Sequence, residues 1–150
     1  MLNAGNAGST YATRATALMV IVDGCCSIAD EVGTSKIGKP YNGEDPTYIE
    51  SPYSQKSIDD FYDNIISVQN AYMGGVQGSR DESKSLHKYV ADKDKDLDSR
   101  VCAAIENALD AISKMKRPFV NNYTDPSAGA ASDACQELDA VMSEINTVLK

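Results

Sequence analysis

The segment SIDDFYDNIISVQNAYM, residues 57–73, decides the fold class of this chain. Its large apolar side chains recur every three or four positions, a spacing that places them on one face of an α-helix: Ile58, Phe61, Ile65, Val68 and Tyr72. Ser57 is predicted to cap this helix by accepting from the amide three residues on, and the acidic first turn suits the positive end of the helix dipole. Gly74 and Gly75 follow as a stop signal. The sequence therefore predicts an amphipathic helix over Ser57–Met73.

Three further segments show the same periodicity, and together the four predict an all-α fold. They cover Thr10–Ile37, Asp94–Met115 and Pro126–Leu149, with a short extra helix over Ser83–Ala91. Asp125 before Pro126 is a strong helix start, because an N-cap acceptor precedes a proline at the first helical position. Amphipathic helices without strand signals favour an antiparallel up-down four-helix bundle. Residues 1–150 are interpreted as one domain, since this length suffices for one core.

A long connection separates the first two predicted helices. Gly38 and the Lys39-Pro40 pair are expected to stop the first helix, which leaves a loop over Lys39–Lys56. Long loops in compact domains are often functional. The loop and the following helix are rich in hydrogen-bonding groups, which predicts one wall of a cleft with these candidate residues: Glu50, Ser51, Tyr53, Ser54, Asp60 and Asn64. In the alternative interpretation, Glu50, Ser51 and Ser54 only satisfy backbone groups around Pro52.

Composition and charge exclude some partners. The net charge of −8 argues against nucleic acid, because duplex binding needs basic residues to neutralise phosphates. Residues 1–74 carry 4 basic and 9 acidic residues, which favours a cation or a basic partner, or else serves solubility alone. No window approaches the roughly 20 apolar residues of a membrane span, so no transmembrane segment is expected. The N-terminal residues show no basic region of a signal peptide.

Acidic residues give a candidate metal site. Asp23 and Asp30 are seven positions apart, and therefore lie on one side of the first helix about 10 Å from each other. A third ligand is needed between them, and Glu50 would supply it if the loop folds over this helix. Oxygen ligands of this kind suit a divalent cation such as Ca²⁺ or Mg²⁺, or iron. The alternative is an ordinary solvated helix face.

Four short motifs carry a resemblance to a known family. They are IADEVG at residues 28–33, SKIG at 35–38, ESPYS at 50–54 and DFYDNI at 60–65. These motifs resemble the second half of the imelysin family, exported bacterial proteins that include imelysin peptidases and iron-regulated lipoproteins. The resemblance implies an all-helical fold of two bundle-like halves. It also implies a periplasmic or outer-membrane location.

The family's metal motif, Gly-x-His-x-x-Glu, belongs to the first half and is absent here. The histidine of this chain is His87, with Ser85 and Val90 at the positions of the Gly and the Glu. The resemblance therefore implies that the chain needs a partner, either a first half or another copy in a homo-oligomer. His87 itself is expected to be a surface residue, and no nucleophile with a nearby base is visible.

The cysteines lack the spacing of a zinc site, and buried thiols are one interpretation of them. The exported location that the resemblance implies permits a disulfide instead, between Cys25 or Cys26 and Cys135.

The resulting functional hypothesis is a non-catalytic half of an imelysin-like protein that forms one wall of a cleft between the halves. That cleft would bind a metal or a peptide. The alternative is a self-contained periplasmic metal-binding protein or peptidase, with Asp23, Asp30 and Glu50 as ligands and His87 brought to them. A third hypothesis is an interaction module that uses an exposed apolar face.

Overall fold

The computed structural model describes residues 3–150, so Met1 and Leu2 of the predicted domain lie outside it. The longer helices are α1 (Arg14–Asp30), α2 (Ser57–Met73), α3 (Leu86–Lys93), α4 (Lys95–Ser113) and α5 (Pro126–Ser143). Shorter helical turns cover Lys39–Tyr41, Glu82–Lys84, Phe119–Asn122 and Ile145–Val148. A π-helical segment over Glu31–Gly38, called the π segment below, continues α1. Residues 3–150 contain no strand, and the all-α prediction is confirmed.

The helices enclose one apolar core. α1 packs against α2 and α5, α4 packs against the same two helices, and the π segment packs on α5. The face of α2 predicted from residue spacing is buried as expected, with Phe61, Ile65, Val68 and Tyr72 fully inaccessible to solvent. Phe61 meets Phe119 edge to face, with ring centroids 5.3 Å apart. None of the helices in residues 3–150 is long and apolar enough to cross a membrane.

The first predicted helix ends later than expected, because Gly38 and Pro40 do not stop it. Gly38 and Lys39 have φ of −65° and −58°, both helical, and the chain stays helical to Tyr41. In an α-helix the ring of Pro40 would meet the carbonyl four residues earlier, and the wider π turn before it relieves this clash. Gly38 permits that turn, since a Cβ there would lie 2.8 Å from the carbonyl oxygen of Gly33.

The helix ends also correct several expected boundaries. α1 begins at Arg14 rather than Thr10, because the hydroxyl of Thr13 caps it by accepting from the amide of Thr16 at 3.0 Å. Ser57 is not the N-cap of α2: that position is Lys56, and the buried Ser57 hydroxyl donates to the carbonyl of Glu50 instead.

The short extra helix is confirmed over Leu86–Lys93, with Ser85 as its cap. The prediction for the last helix was right at its start and too long at its end. Asp125 caps α5 as predicted, but α5 ends at Ser143 and a separate turn covers Ile145–Val148.

Candidate functional site

A cleft of about 360 Å³ lies between the π segment and the loop that precedes α2. Two acidic side chains, one basic side chain and three loop residues line it: Glu31, Lys36, Thr47, Tyr48, Ile49 and Glu50. The lining therefore combines both signs of charge with an apolar and an aromatic side chain. A mixed lining of this kind can orient a ligand by charge while it buries apolar surface.

The π segment places two charged residues on the same wall of the cleft. Glu31 and Lys36 are five positions apart, so in an α-helix they would point about 140° away from each other. In a π-helix the backbone hydrogen bonds join residues five positions apart, so Glu31 and Lys36 lie on the same side of the segment. Lys36 Nζ lies 3.1 Å from a carboxylate oxygen of Glu50 and joins the two walls. The Lys36 side chain is only 15% exposed, against 39% for Glu50, so this ion pair is partly shielded from water.

The ESPYS loop, residues 50–54, is held firmly against the start of α2. The hydroxyl of Ser51 donates to Asp60 at 2.5 Å, and the amide of Gln55 donates to the carbonyl of Ser51 at 3.0 Å. Ser51 and Gln55 have φ of +52° and +59°, a left-handed conformation that is unfavourable for residues other than glycine. Hydrogen bonds that fix a strained loop give it one defined shape.

The predicted cleft residues fall into two groups. Glu50 lines the cleft, whereas Ser51, Ser54 and Asp60 hold the loop: Ser54 donates to the carbonyl of Ser51 at 3.3 Å. Tyr53 points outward with a fully exposed side chain. Asn64 is half-buried on α2, and its carbonyl accepts from the Ser67 hydroxyl at 2.6 Å. Of the two serines, only Ser54 satisfies a backbone group as the alternative interpretation proposed, because Ser51 donates to a side chain. The binding role of the six residues stays a prediction.

The acidic metal set Asp23, Asp30 and Glu50 is not assembled in residues 3–150. Each carboxylate has a different partner: Asp23 accepts from the side-chain amide of Asn146 at 2.9 Å, and Asp30 from the hydroxyl of Thr34 at 2.7 Å. Glu50 pairs with Lys36. The ligand atoms of these three residues do not lie within 4.8 Å of one another, a spacing that only His87, Asp98 and Cys102 reach in residues 3–150. The three residues therefore do not form the site that the sequence suggested.

The expected disulfide is not formed, and all four thiols are free. Cys135 lies opposite Gly33, where a Cβ would be 3.0 Å from that of Cys135. Gly33 is eight residues beyond Cys25, about 12 Å along the helix, too far for a bridge whose Cα atoms must come within about 7 Å. The Cys26 thiol lies 3.8 Å from the carbonyl of Asp139, which is one turn beyond Cys135 on α5. Burial raises the pKa of Cys25 to about 11 and that of Cys135 to about 12, so both stay protonated at neutral pH.

His87, predicted to be a surface residue, keeps a side chain that is 34% exposed but belongs to a half-buried polar cluster. Its Nδ1 lies 2.6 Å from Asp98 Oδ1 and 3.8 Å from Cys102 Sγ. Asp98 is buried and also accepts from the hydroxyl of Tyr72 at 2.7 Å. Sequence analysis missed this cluster, although Asp98 and Cys102 stand four apart on one helix face. No local pattern indicates that His87, on another helix, meets them.

Comparison with known proteins gives one family. The sequence profile of the family described as Imelysin matches residues 2–145. A curated relative, iron-regulated protein A of Synechococcus elongatus, is 25% identical over 144 residues, covering 96% of this chain and 40% of the relative.

Two solved structures are also similar. An imelysin peptidase from Bacteroides ovatus has 38% sequence identity and a TM-score of 0.86, over 93% of this chain and 42% of that one. An iron-regulated protein A precursor from Parabacteroides distasonis has 28% identity and a TM-score of 0.86, over 97% and 45%. This chain thus spans less than half the length of the relatives that it matches. With the all-helical fold and the family profile in agreement, the chain belongs to the imelysin family.

Proposed function

We propose that this chain is a non-catalytic helical half of an imelysin-like protein and forms one wall of a cleft between two halves. The observation that carries the proposal is Tyr53, whose side chain is 100% exposed at the tip of a loop with a fixed shape. Tyrosine is enriched among the residues that carry most of the binding energy of protein interfaces, so this side chain supports a contact with another protein surface. The length of the relatives supplies a candidate for that surface, the part of an imelysin-like protein that this chain does not cover.

The ESPYS loop supports this proposal by its energetics. Two left-handed residues other than glycine, Ser51 and Gln55, destabilise the isolated chain, and the Ser51 to Asp60 hydrogen bond offsets only part of that cost. Strained backbone of this kind clusters at ligand clamps and functional sites. Burial of Tyr53 against a second half would explain why the chain contains a strained loop at this position.

The cleft lined by Glu31, Lys36 and Glu50 would face the second half. Its two carboxylates and one ammonium group suit a peptide, which carries both hydrogen-bond donors and acceptors. The excess of acidic groups also permits a cation that is bound jointly by this cleft and by groups of the other half. The family's metal motif is absent from this sequence, because Ser85 and Val90 stand at its Gly and Glu positions around His87. This chain alone is therefore not expected to hydrolyse peptides.

The proposed location rests on the family resemblance, and the proposed physiological role rests on the names of the relatives. Two of them are named iron-regulated protein A, and one is named an imelysin peptidase. We accordingly place the complete protein among exported proteins of the periplasm or outer membrane, with a role connected to iron. A homo-oligomer is the other arrangement that would cover Tyr53.

The test is to titrate this chain with the part of the Bacteroides ovatus imelysin peptidase that the chain does not match. We expect a 1:1 complex by calorimetry, and a dissociation constant at least about tenfold weaker after Tyr53→Ala, since buried aromatic anchors carry much of an interface's binding energy. A circular-dichroism spectrum of the added part checks beforehand that it is helical.

The matched control is Tyr89→Ala, because Tyr89 is another exposed tyrosine, on α3 rather than beside the cleft. Its replacement should leave the affinity unchanged. The proposal is wrong if the added part is helical but does not associate with this chain. It is also wrong if Tyr89→Ala weakens the complex and Tyr53→Ala does not. Self-association of this chain that Tyr53→Ala abolishes would identify the homo-oligomer instead.

A further inference from the structure

We infer that His87, Asp98 and Cys102 form a binding site for a divalent cation of the Zn²⁺ class. One ligand atom from each residue lies within 4.8 Å of the other two, the one such group of three among residues 3–150. Imidazole, carboxylate and thiolate together are donors that Zn²⁺ takes, whereas Ca²⁺ and Mg²⁺ take oxygen ligands almost alone. The inference goes beyond the proposed function and does not depend on it.

Two helices build the site. Asp98 and Cys102 stand four residues apart on α4, so both side chains leave the same face of that helix. His87 comes from α3, which packs against α4 and is joined to it through Asp94 alone. Asp94 caps α4 by accepting from the amide of Leu97 at 2.9 Å, and this cap fixes the corner between the helices. The ligands are therefore placed by rigid helices rather than by a loop.

The distances fit a tetrahedral ion after a small adjustment. With metal bonds of about 2.0 Å to nitrogen or oxygen and 2.3 Å to sulfur, neighbouring ligand atoms lie roughly 3.3–3.6 Å apart. The 3.8 Å between His87 Nδ1 and Cys102 Sγ is close to this value. The 2.6 Å between Nδ1 and Asp98 Oδ1 is a hydrogen bond, and it must open by roughly 0.7 Å when the ion replaces the shared proton.

The surroundings orient the ligands and leave a way in. The Tyr72 hydroxyl donates to Asp98 at 2.7 Å, and the Tyr72 ring lies edge on to His87, with centroids 6.0 Å apart. Such outer partners hold metal ligands in place. The side chain of His87 is 34% exposed, so a cation can enter from solvent and keep one water as its fourth ligand.

The electrostatics favour a dication. Burial, together with the nearby carboxylates of Asp98 and Glu106, raises the pKa of the Cys102 thiol to about 11. The carboxylate of Asp98 within the site, with that of Glu106 nearby, supplies negative charge that a dication can neutralise.

The site is separate from the cleft beside the ESPYS loop. Tyr72 lies fifteen residues beyond Ser57 on α2, which is about 22 Å along the helix axis. It is also separate from the family's Gly-x-His-x-x-Glu pattern, because Asp98 and Cys102 lie on the next helix.

Cobalt is the probe of choice, because thiolate ligation to Co²⁺ gives a near-ultraviolet charge-transfer band. We expect one Co²⁺ per chain with this band, displaced by one equivalent of Zn²⁺. The band should vanish in Cys102→Ser, and the affinity should fall at least about tenfold in Tyr72→Phe, which removes only the partner of Asp98.

Cys26→Ser is the matched control, because Cys26 is also partly buried but its thiol lies 3.8 Å from the carbonyl of Asp139 on α5. This variant should retain the band. His87→Gln, at a half-exposed position, keeps the test valid if Cys102→Ser fails to fold, which circular dichroism shows. The site does not exist if the wild-type chain binds neither ion, if Cys102→Ser keeps the band, or if His87→Gln binds as tightly as the wild type.

Discussion

Phe61→Ala is expected to lower the free energy of unfolding by about 3–5 kcal/mol, a large loss for a single truncation. Phe61 is inaccessible to solvent and meets the ring of Phe119 edge to face, so the change removes a large buried side chain and an aromatic pair. For a domain of this size the melting temperature should fall by about 10 °C. Urea unfolding followed by circular dichroism measures the loss.

Tyr62→Ala is the control, at the next position of α2 with an exposed side chain. It removes an aromatic ring of similar size and should cost no more than about 1 kcal/mol. If the two variants were equally destabilised, Phe61 would not lie in the core and the packing of α2 described above would be wrong.

Gly33→Leu should destabilise the protein by about 2–3 kcal/mol through overpacking. A Cβ at Gly33 would lie 3.0 Å from both the Cβ of Cys135 and the carbonyl oxygen of Ser132, so a leucine must push α5 away from the π segment. It would also strain the hydrogen bond of 2.8 Å that the Ser132 hydroxyl donates to the carbonyl of Gly33. Equilibrium unfolding measures the loss directly.

Gly24→Leu provides the same chemical change without the contact. Gly24 is helical and exposed on α1, and a Cβ there meets no atom within 4 Å. Leucine has a higher helix propensity than glycine, so this variant should be more stable by about 0.5 kcal/mol. A loss of stability at both positions would show that glycine is needed for backbone reasons and not for the close approach of α5.

The helices were predictable because their signals are local. The apolar spacing of α2 depends on 17 consecutive residues, and the structure has this helix at the predicted bounds of Ser57 and Met73. The cap formed by Asp125 before Pro126 is equally local. The four family motifs likewise needed only short stretches of sequence.

The site was predictable only in part. Glu50 lines the cleft, but the sequence did not show that Ser51 turns to Asp60. The sequence also missed the basic residue Lys36, because an α-helical pattern would point it away from Glu31. The π segment that brings the two together packs against α5, and contacts between distant segments leave no periodic signal in the sequence.

By itself, therefore, the sequence determined the all-helical class, the position of α2, the start of α5 and the family. Those properties depend on residues within a few turns of one another, where propensity, capping and apolar spacing act. Only the tertiary structure decided that the chain continues through Pro40, that Cys135 meets Gly33 rather than Cys25, and that His87 reaches Asp98 and Cys102. Each of these features depends on the relative positions of the helices. Those positions are fixed by side chains that pack together from several segments, and no single segment encodes them.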